Sequence, residues 1–167
     1  MVIVYQSNTG FTKQYAEMLG KAEFLKVYPL EEADLPQDTE VFYMGPLMAG
    51  RITGIDKAVK GFNVVGACGV GMSPPGKEVL NTMAKANFVP NAPLFYLQGG
   101  WAPKQVGWAK RKAVEMVTRS FRTQLEKKAD RTKVEQANLD MLKKGGSFVA
   151  FENLGTIRNW IKEYKAK

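Results

Sequence analysis

The residues of this chain best suited to chemistry follow its first apolar run, in the segment Ser7-Asn8-Thr9-Gly10-Phe11-Thr12. Ser7, Thr9 and Thr12 offer hydroxyl donors, and Gly10 lets the backbone turn sharply. A helix starting there would aim its unpaired amides and the positive end of its dipole at the same spot. Such a site suits a phosphate dianion and needs no buried lysine or arginine. A plain strand-to-helix turn capped by Ser7, Asn8 or Thr9 is the competing reading. Three hydroxyl residues and a glycine in this position favour the phosphate. The segment is no Walker loop, because no Gly-Lys-Ser/Thr follows, and it lacks the glycine triplet of a dinucleotide fingerprint.

Composition narrows what else is available. With 167 residues and 45% apolar content, the chain has the size and apolar share of a single domain. It contains no histidine and one cysteine, Cys68. This removes Ser-His and Cys-His nucleophilic dyads, histidine metal sites and a zinc cage. Cys68 reads as a buried small apolar residue in preference to a reactive thiol. Redox or group-transfer chemistry would therefore come from a bound cofactor. An intrachain disulfide is excluded, which suits a reducing compartment. Met1 runs straight into Val2-Ile3-Val4-Tyr5 without a basic leader, and no apolar run approaches the ~20 residues that span a bilayer. The expected location is cytoplasmic, with peripheral membrane contact left open.

The elements that must position the loop follow from periodicity. Val2–Gln6, Phe24–Tyr28, Val41–Gly45, Phe62–Cys68 and Pro93–Gln98 read as strands, mostly near-continuous apolar runs suited to a parallel sheet covered on both faces. Thr12–Lys21 and Pro75–Ala86 read as helices between them, and Ile55–Lys60 as a short one. This alternation predicts a doubly wound α/β sheet with right-handed crossovers. After the fifth strand the pattern is all helical. Ala109, Ala113, Val117, Phe121 and Leu125 form a stripe expected to pack on the sheet. Two further helices are expected over Thr132–Lys144 and Glu152–Lys165.

At the Ser7–Thr12 segment the chain resembles the flavodoxin family, whose phosphate loop reads Ser/Thr-x-Thr-Gly-x-Thr after the first strand. Ser7, Thr9, Gly10 and Thr12 match every fixed position. The resemblance runs through residues 1 to about 128, leaving 129–167 as a C-terminal helical extension of a single flavodoxin-like domain. It implies a five-stranded parallel sheet of order 2-1-3-4-5 and flavin mononucleotide (FMN) bound at the carboxyl ends of the strands beside the switch point. By similarity, Pro46-Leu47-Met48-Ala49-Gly50-Arg51 after the third strand would lie along the isoalloxazine edge. Gly69-Val70-Gly71-Met72 after the fourth would offer backbone amides to its pyrimidine end. Arg51 either offsets the charge of a reduced flavin or is a solvated rim residue. Trp101, in the loop leaving the fifth strand, either covers the flavin or packs into the core.

The resemblance implies electron transfer or flavin-dependent oxidoreductase activity, with a redox partner protein or a small-molecule electron donor or acceptor. Neither ring loop carries the Trp or Tyr usual in electron-carrier flavodoxins, and the chain is basic where those are acidic. Its glycine-methionine loops are similar to those of the flavodoxin-domain subgroup that includes bacterial protoporphyrinogen dehydrogenases. The alternative, from a different class, is a flavodoxin-fold interaction or regulatory module without flavin. The net charge of +8 is concentrated: residues 104–133 carry 10 Lys/Arg against 3 Asp/Glu. Lys110, Arg111, Arg119 and Arg122 could meet an anionic membrane surface or an acidic protein, the plainer reading being a solvated helix face. No aromatics alternate with these charges, which disfavours nucleic acid. The C-terminal helices could close over the flavin, with Phe148 and Phe151 as candidate contacts.

Overall fold

A computed structural model describes residues 1–166; Lys167, the last residue of the expected C-terminal extension, lies outside the described residues. The chain divides into two units, one formed by residues 1–99 and 149–167 and the other by residues 100–148. In the first, the elements run β1 (Val2–Tyr5), α1 (Phe11–Glu23), β2 (Val27–Pro29), β3 (Glu40–Met48), β4 (Arg51–Ile52), α2 (Ile55–Gly61), β5 (Asn63–Gly71), α3 (Lys77–Ala86) and β6 (Leu94–Gln98). The second holds β7 (Gly100–Trp101), α4 (Trp108–Lys127), α5 (Lys133–Lys144) and β8 (Gly146–Ser147). The chain then returns to the first through a 3-10 turn (Phe151–Leu154) and α6 (Gly155–Lys165).

Five parallel strands stand in the order β2-β1-β3-β5-β6, with the short β4 antiparallel to β3. Counting the parallel strands alone gives 2-1-3-4-5, the flavodoxin-like arrangement expected from the sequence. Alternate strand residues feed two cores. Ile3, Phe42, Met44, Cys68 and Val70 face one together with Tyr15, Leu19, Ile157 and Ile161. Val4, Val41, Tyr43, Val64 and Ala67 face the other with Ile55, Ala58 and Met83. Helices α1 and α6 thus cover one face of the sheet and α2 and α3 the other, which is why the strand sequences are apolar on both sides.

Helix α6 sits directly on the sheet. Trp160 lies in a cluster with Phe42 and Phe95, with ring centroids 5.5 to 5.8 Å apart. Gly66 of β5 makes room for it, since a Cβ there would lie 2.8 Å from Trp160 Cη2 and 2.9 Å from Phe42 Cδ2. At the end of α1 the buried Glu23 accepts from Arg158 Nε at 2.7 Å, and Lys165 Nζ donates to its carbonyl. Tyr164 donates to Glu40 at 2.7 Å, and that carboxylate pushes the phenol up to about 12.

The second unit is a helical hairpin closed by a two-stranded ribbon, in which Gly100 pairs with Ser147 and Trp101 with Gly146. Thr132 and Glu135 form a reciprocal capping box at the start of α5. Arg131 Nη1 donates to the carbonyls of Leu125, Glu126 and Lys128, which satisfies the end of α4. Glu126 pairs with Lys143 at 2.8 Å across the two helices.

Several expectations are corrected. Phe24 and Leu25 are not strand residues: Phe24 ends α1 in the left-handed region (φ 55°) and is 96% exposed, so β2 begins only at Val27. The third and fourth parallel strands run further than expected, to Met48 and Gly71. The α4 stripe is not a buried face: Leu125 is buried, but Val117 is 78% exposed and Phe121 lies at the surface. Within the first unit the sheet is covered by α6, which follows the return of the chain at residue 149. Periodicity identified the α4 stripe but could not tell that its residues are exposed.

Ile161 is fully buried under the sheet, and Ile161→Ala is expected to destabilise the protein by about 3 kcal/mol in urea denaturation. Val117→Ala in α4 should change stability by less than about 1 kcal/mol. Similar losses for both would contradict this division of labour.

Candidate functional site

Four chain segments meet the carboxyl edge of the sheet in the first unit: Gln6–Gly10 after β1, the β3–β4 hairpin, Met72–Gly76 after β5, and Gly99 after β6. Because β1 is followed by β2 on one side and β3 on the other, the switch point lies between β1 and β3, beside the first segment.

The Ser7–Thr12 segment closes on itself. The Gly10 amide donates to Ser7 Oγ at 3.1 Å, and Gly10 takes φ 88°, a conformation that glycine adopts without strain. Gly10 is also the N-terminal cap of α1 but provides no side-chain acceptor. Its carbonyl accepts from Gln14, and among the described residues the amides of Phe11, Thr12 and Lys13 have no acceptor. Thr12 is only 3% exposed, yet neither its hydroxyl nor that of Thr9 has a hydrogen-bond partner among the described residues. Asn8 is exposed, and Phe11 packs its ring onto the α1–α6 core. The first turn of α1 holds no acidic residue, and Lys13 turns outward to Glu17 at 3.7 Å. The result is a cluster of amide and hydroxyl donors without a counter-charge, the donor set that a phosphate dianion requires.

The two expected ring loops have different structures. Pro46, Leu47 and Met48 continue β3, and the chain turns at Ala49 and Gly50 (φ 50° and 81°) before Arg51 and Ile52 pair back as β4. Two successive positive φ values make this a type I′ hairpin rather than an open loop. Asn87, at the end of α3, fastens it. Its Oδ1 accepts from the Ile52 amide at 2.8 Å, while its Nδ2 donates to the carbonyls of Gly50 and Met83, both at 2.7 Å. Leu47 and Ile52 pack into the core on the α2–α3 side. Arg51 is exposed and paired with Asp56, so its guanidinium is already balanced by a carboxylate. Met48 is exposed, and Pro46 is half-buried beside it.

On the other side, Gly69, Val70 and Gly71 belong to β5, paired with Tyr96, Leu97 and Gln98 of β6, and Val70 is buried. Only Met72 begins the loop. Three consecutive carbonyls there are tied to β6 and its exit: Gly71 accepts from the Gly99 amide at 2.7 Å, Met72 from Gln98 Nε2 at 3.0 Å, and Ser73 from Tyr96 Oη at 2.7 Å. Tyr15 joins this edge to α1 by donating to the Gln98 carbonyl at 2.8 Å and accepting from Asn153 at 2.7 Å. Burial pushes the Tyr15 and Tyr96 phenols up, so both remain neutral donors at ordinary pH. Cys68 is fully buried and burial pushes its thiol up, as expected for an inert apolar residue.

Trp101 lies in β7 of the second unit, where it is buried, and Phe148 belongs to that unit too. Phe151, in the first unit, is covered by the Arg158 guanidinium 4.8 Å above its ring. The ties made by Asn87, Tyr96, Gln98 and Asn153 escaped sequence reasoning. The one available signal was a polar tip on an otherwise apolar strand, at Tyr96 and Gln98.

Since the Asn87 side chain makes three hydrogen bonds, two of them to the hairpin, Asn87→Ala is expected to cost about 2 kcal/mol of stability. It should also speed hydrogen exchange of the Ile52 amide by more than roughly tenfold relative to Ile3. Unchanged protection at Ile52 would remove Asn87 from this role.

No protein-family model matches the chain, and no curated protein matches it. Among solved structures, it is similar to a flavodoxin from the domain Archaea at 11% identity and a TM-score of 0.34, over 86% of this chain and 96% of that chain. The flavodoxin-like assignment stands on the chain's own strand order and helix placement.

Proposed function

We propose that the chain binds FMN at the carboxyl edge of its sheet and acts as a flavin-dependent redox protein, in electron transfer or as an oxidoreductase. The observation that carries this reading is the donor cluster at the start of α1: three amides and the hydroxyls of Thr9 and Thr12, all without partners among the described residues, closed by Ser7 and Gly10. These groups fit a phosphate dianion. Pro46, Met48 and Met72, at the ends of the neighbouring strands, are partly or fully exposed apolar groups against which a flat ring could lie. Bound flavin would supply one- or two-electron chemistry, which this chain's side chains cannot provide.

The protein's own contribution is binding and orientation. The Ser7–Thr12 segment would anchor the phosphate, and the fastened carbonyls of Gly71, Met72 and Ser73 would hold the β5 loop in one conformation. The amides of Ser73 and Gly76 have no acceptor among the described residues and are available to a ring carbonyl. With Arg51 held by Asp56, charge on a reduced ring would be met mainly by backbone dipoles. The electron donor and acceptor would be a redox partner protein or a small molecule.

Thr12→Val keeps the shape of the side chain and removes the hydroxyl. It is expected to weaken FMN about tenfold or more, measured by quenching of flavin fluorescence, while leaving riboflavin affinity nearly unchanged. Equal loss for both ligands would contradict the assigned role of Thr12. Failure of the wild-type chain to take up either flavin would favour a flavin-free interaction module.

A further inference from the structure

Helix α4 carries an apolar row with no cover. Ala109, Ala113, Met116 and Val117, followed by the small polar Ser120, have the spacing of one helix face. Met116 is 73% and Val117 78% exposed, and Ala109, Ala113 and Ser120 are exposed as well. The side of α4 that bears Val114, Thr118 and Leu125 is half-buried to buried, so the helix has one committed face and one open face. Trp108 stands at its start, 79% exposed.

Cations border the open row. Lys112 and Arg119 lie along one side of it and Lys110 along the other, at positions three or four residues from the apolar ones. Arg111 and Arg122 lie away from it: Arg111 Nη2 donates to the Pro103 carbonyl, and Arg122 is half-buried. Across its length α4 has six Lys/Arg and two Asp/Glu. No helix among the described residues is long and apolar enough to cross a membrane.

We propose that this face of α4 docks on an anionic lipid bilayer, with the helix in the plane of the interface. The small apolar residues and Met116 would enter the headgroup boundary. Lys110, Lys112 and Arg119 would lay their stems along it and reach the lipid phosphates, and Trp108 would sit at headgroup level. Charge decides among the occupants. Pairing of two copies through this face would bring like charges together, whereas an anionic surface would neutralise Lys110 and Arg119 and compete for Lys112 with Glu115, 3.6 Å away. The row is also shallow and lies on the convex surface of a single helix, a shape suited to a deformable lipid surface.

The test is vesicle flotation of the full chain with phosphatidylcholine alone or mixed with phosphatidylglycerol. Three variants accompany the wild type: Met116→Asp/Val117→Asp, Lys112→Glu/Arg119→Glu, and the control Lys60→Glu/Lys85→Glu, which makes the same charge change in the first unit. The wild type should float with the anionic vesicles, and far less with phosphatidylcholine. Each α4 variant should lose at least about tenfold in partitioning, while the control keeps most of it. All substituted positions are at the surface, and circular dichroism verifies folding. No flotation of the wild type, or equal loss in the control, would overturn the proposal. Binding to polyglutamate without vesicle binding would reassign the surface to an acidic protein. A concentration-dependent dimer abolished by Met116→Asp/Val117→Asp, without flotation, would reassign it to self-association.

Discussion

A parallel sheet presents apolar side chains on both faces, and neither face can be left wet. Most of the architecture follows from that constraint. On one side α2 and α3 cover Val4, Val41, Tyr43 and Ala67; on the other, α1 alone is too narrow to cover Ile3, Phe42, Met44 and Cys68. The chain therefore returns after residue 148 to lay α6 beside α1, with Trp160 seated over Gly66. The crossovers that satisfy the constraint also send β1 to β2 on one side and to β3 on the other. The segment leaving β1 consequently stands at the switch point with its helix end open.

That open end has consequences of its own. Among the described residues three amides and two threonine hydroxyls stand without partners, and no acidic side chain caps them. Among the described α-helices α5 has a side-chain cap, from Thr132, whereas α1, like α2, α3, α4 and α6, starts without one. The α1 start is distinguished by Thr12, nearly buried beside amides that have no acceptor among the described residues. Its neighbours are rigid: Asn87 fixes the hairpin beyond β3, and Tyr96 and Gln98 fix the loop beyond β5. Such preorganisation spares a ligand the cost of ordering the loops.

Much of this was legible in the sequence. The apolar runs at Val2, Val41, Phe62 and Pro93 located four strands, and Gly10 marked the turn into α1. Family resemblance provided the strand order that the pairing bears out. The parts that were not legible share a physical cause, because each depends on a contact between residues distant in sequence. Val117 and Ile161 carry similar local patterns, but Ile161 is fully buried in the core beside the sheet and Val117 is exposed. The stretch from Pro46 to Ile52 reads as a glycine-bearing loop until Asn87 binds Gly50 and Ile52 across 35 or more positions. Gly69 and Val70 look like loop residues by composition, and pairing with Tyr96 and Leu97 makes them strand.

The central claim is that the Ser7–Thr12 segment holds the phosphate of FMN through amides and hydroxyls. Phosphorus-31 NMR of FMN titrated with the protein observes that group directly. The account predicts a displaced resonance whose position stays constant as pH falls through about 6, because the donor cluster stabilises the dianion against protonation. A resonance that titrates like that of free FMN, or no uptake at all, would contradict it.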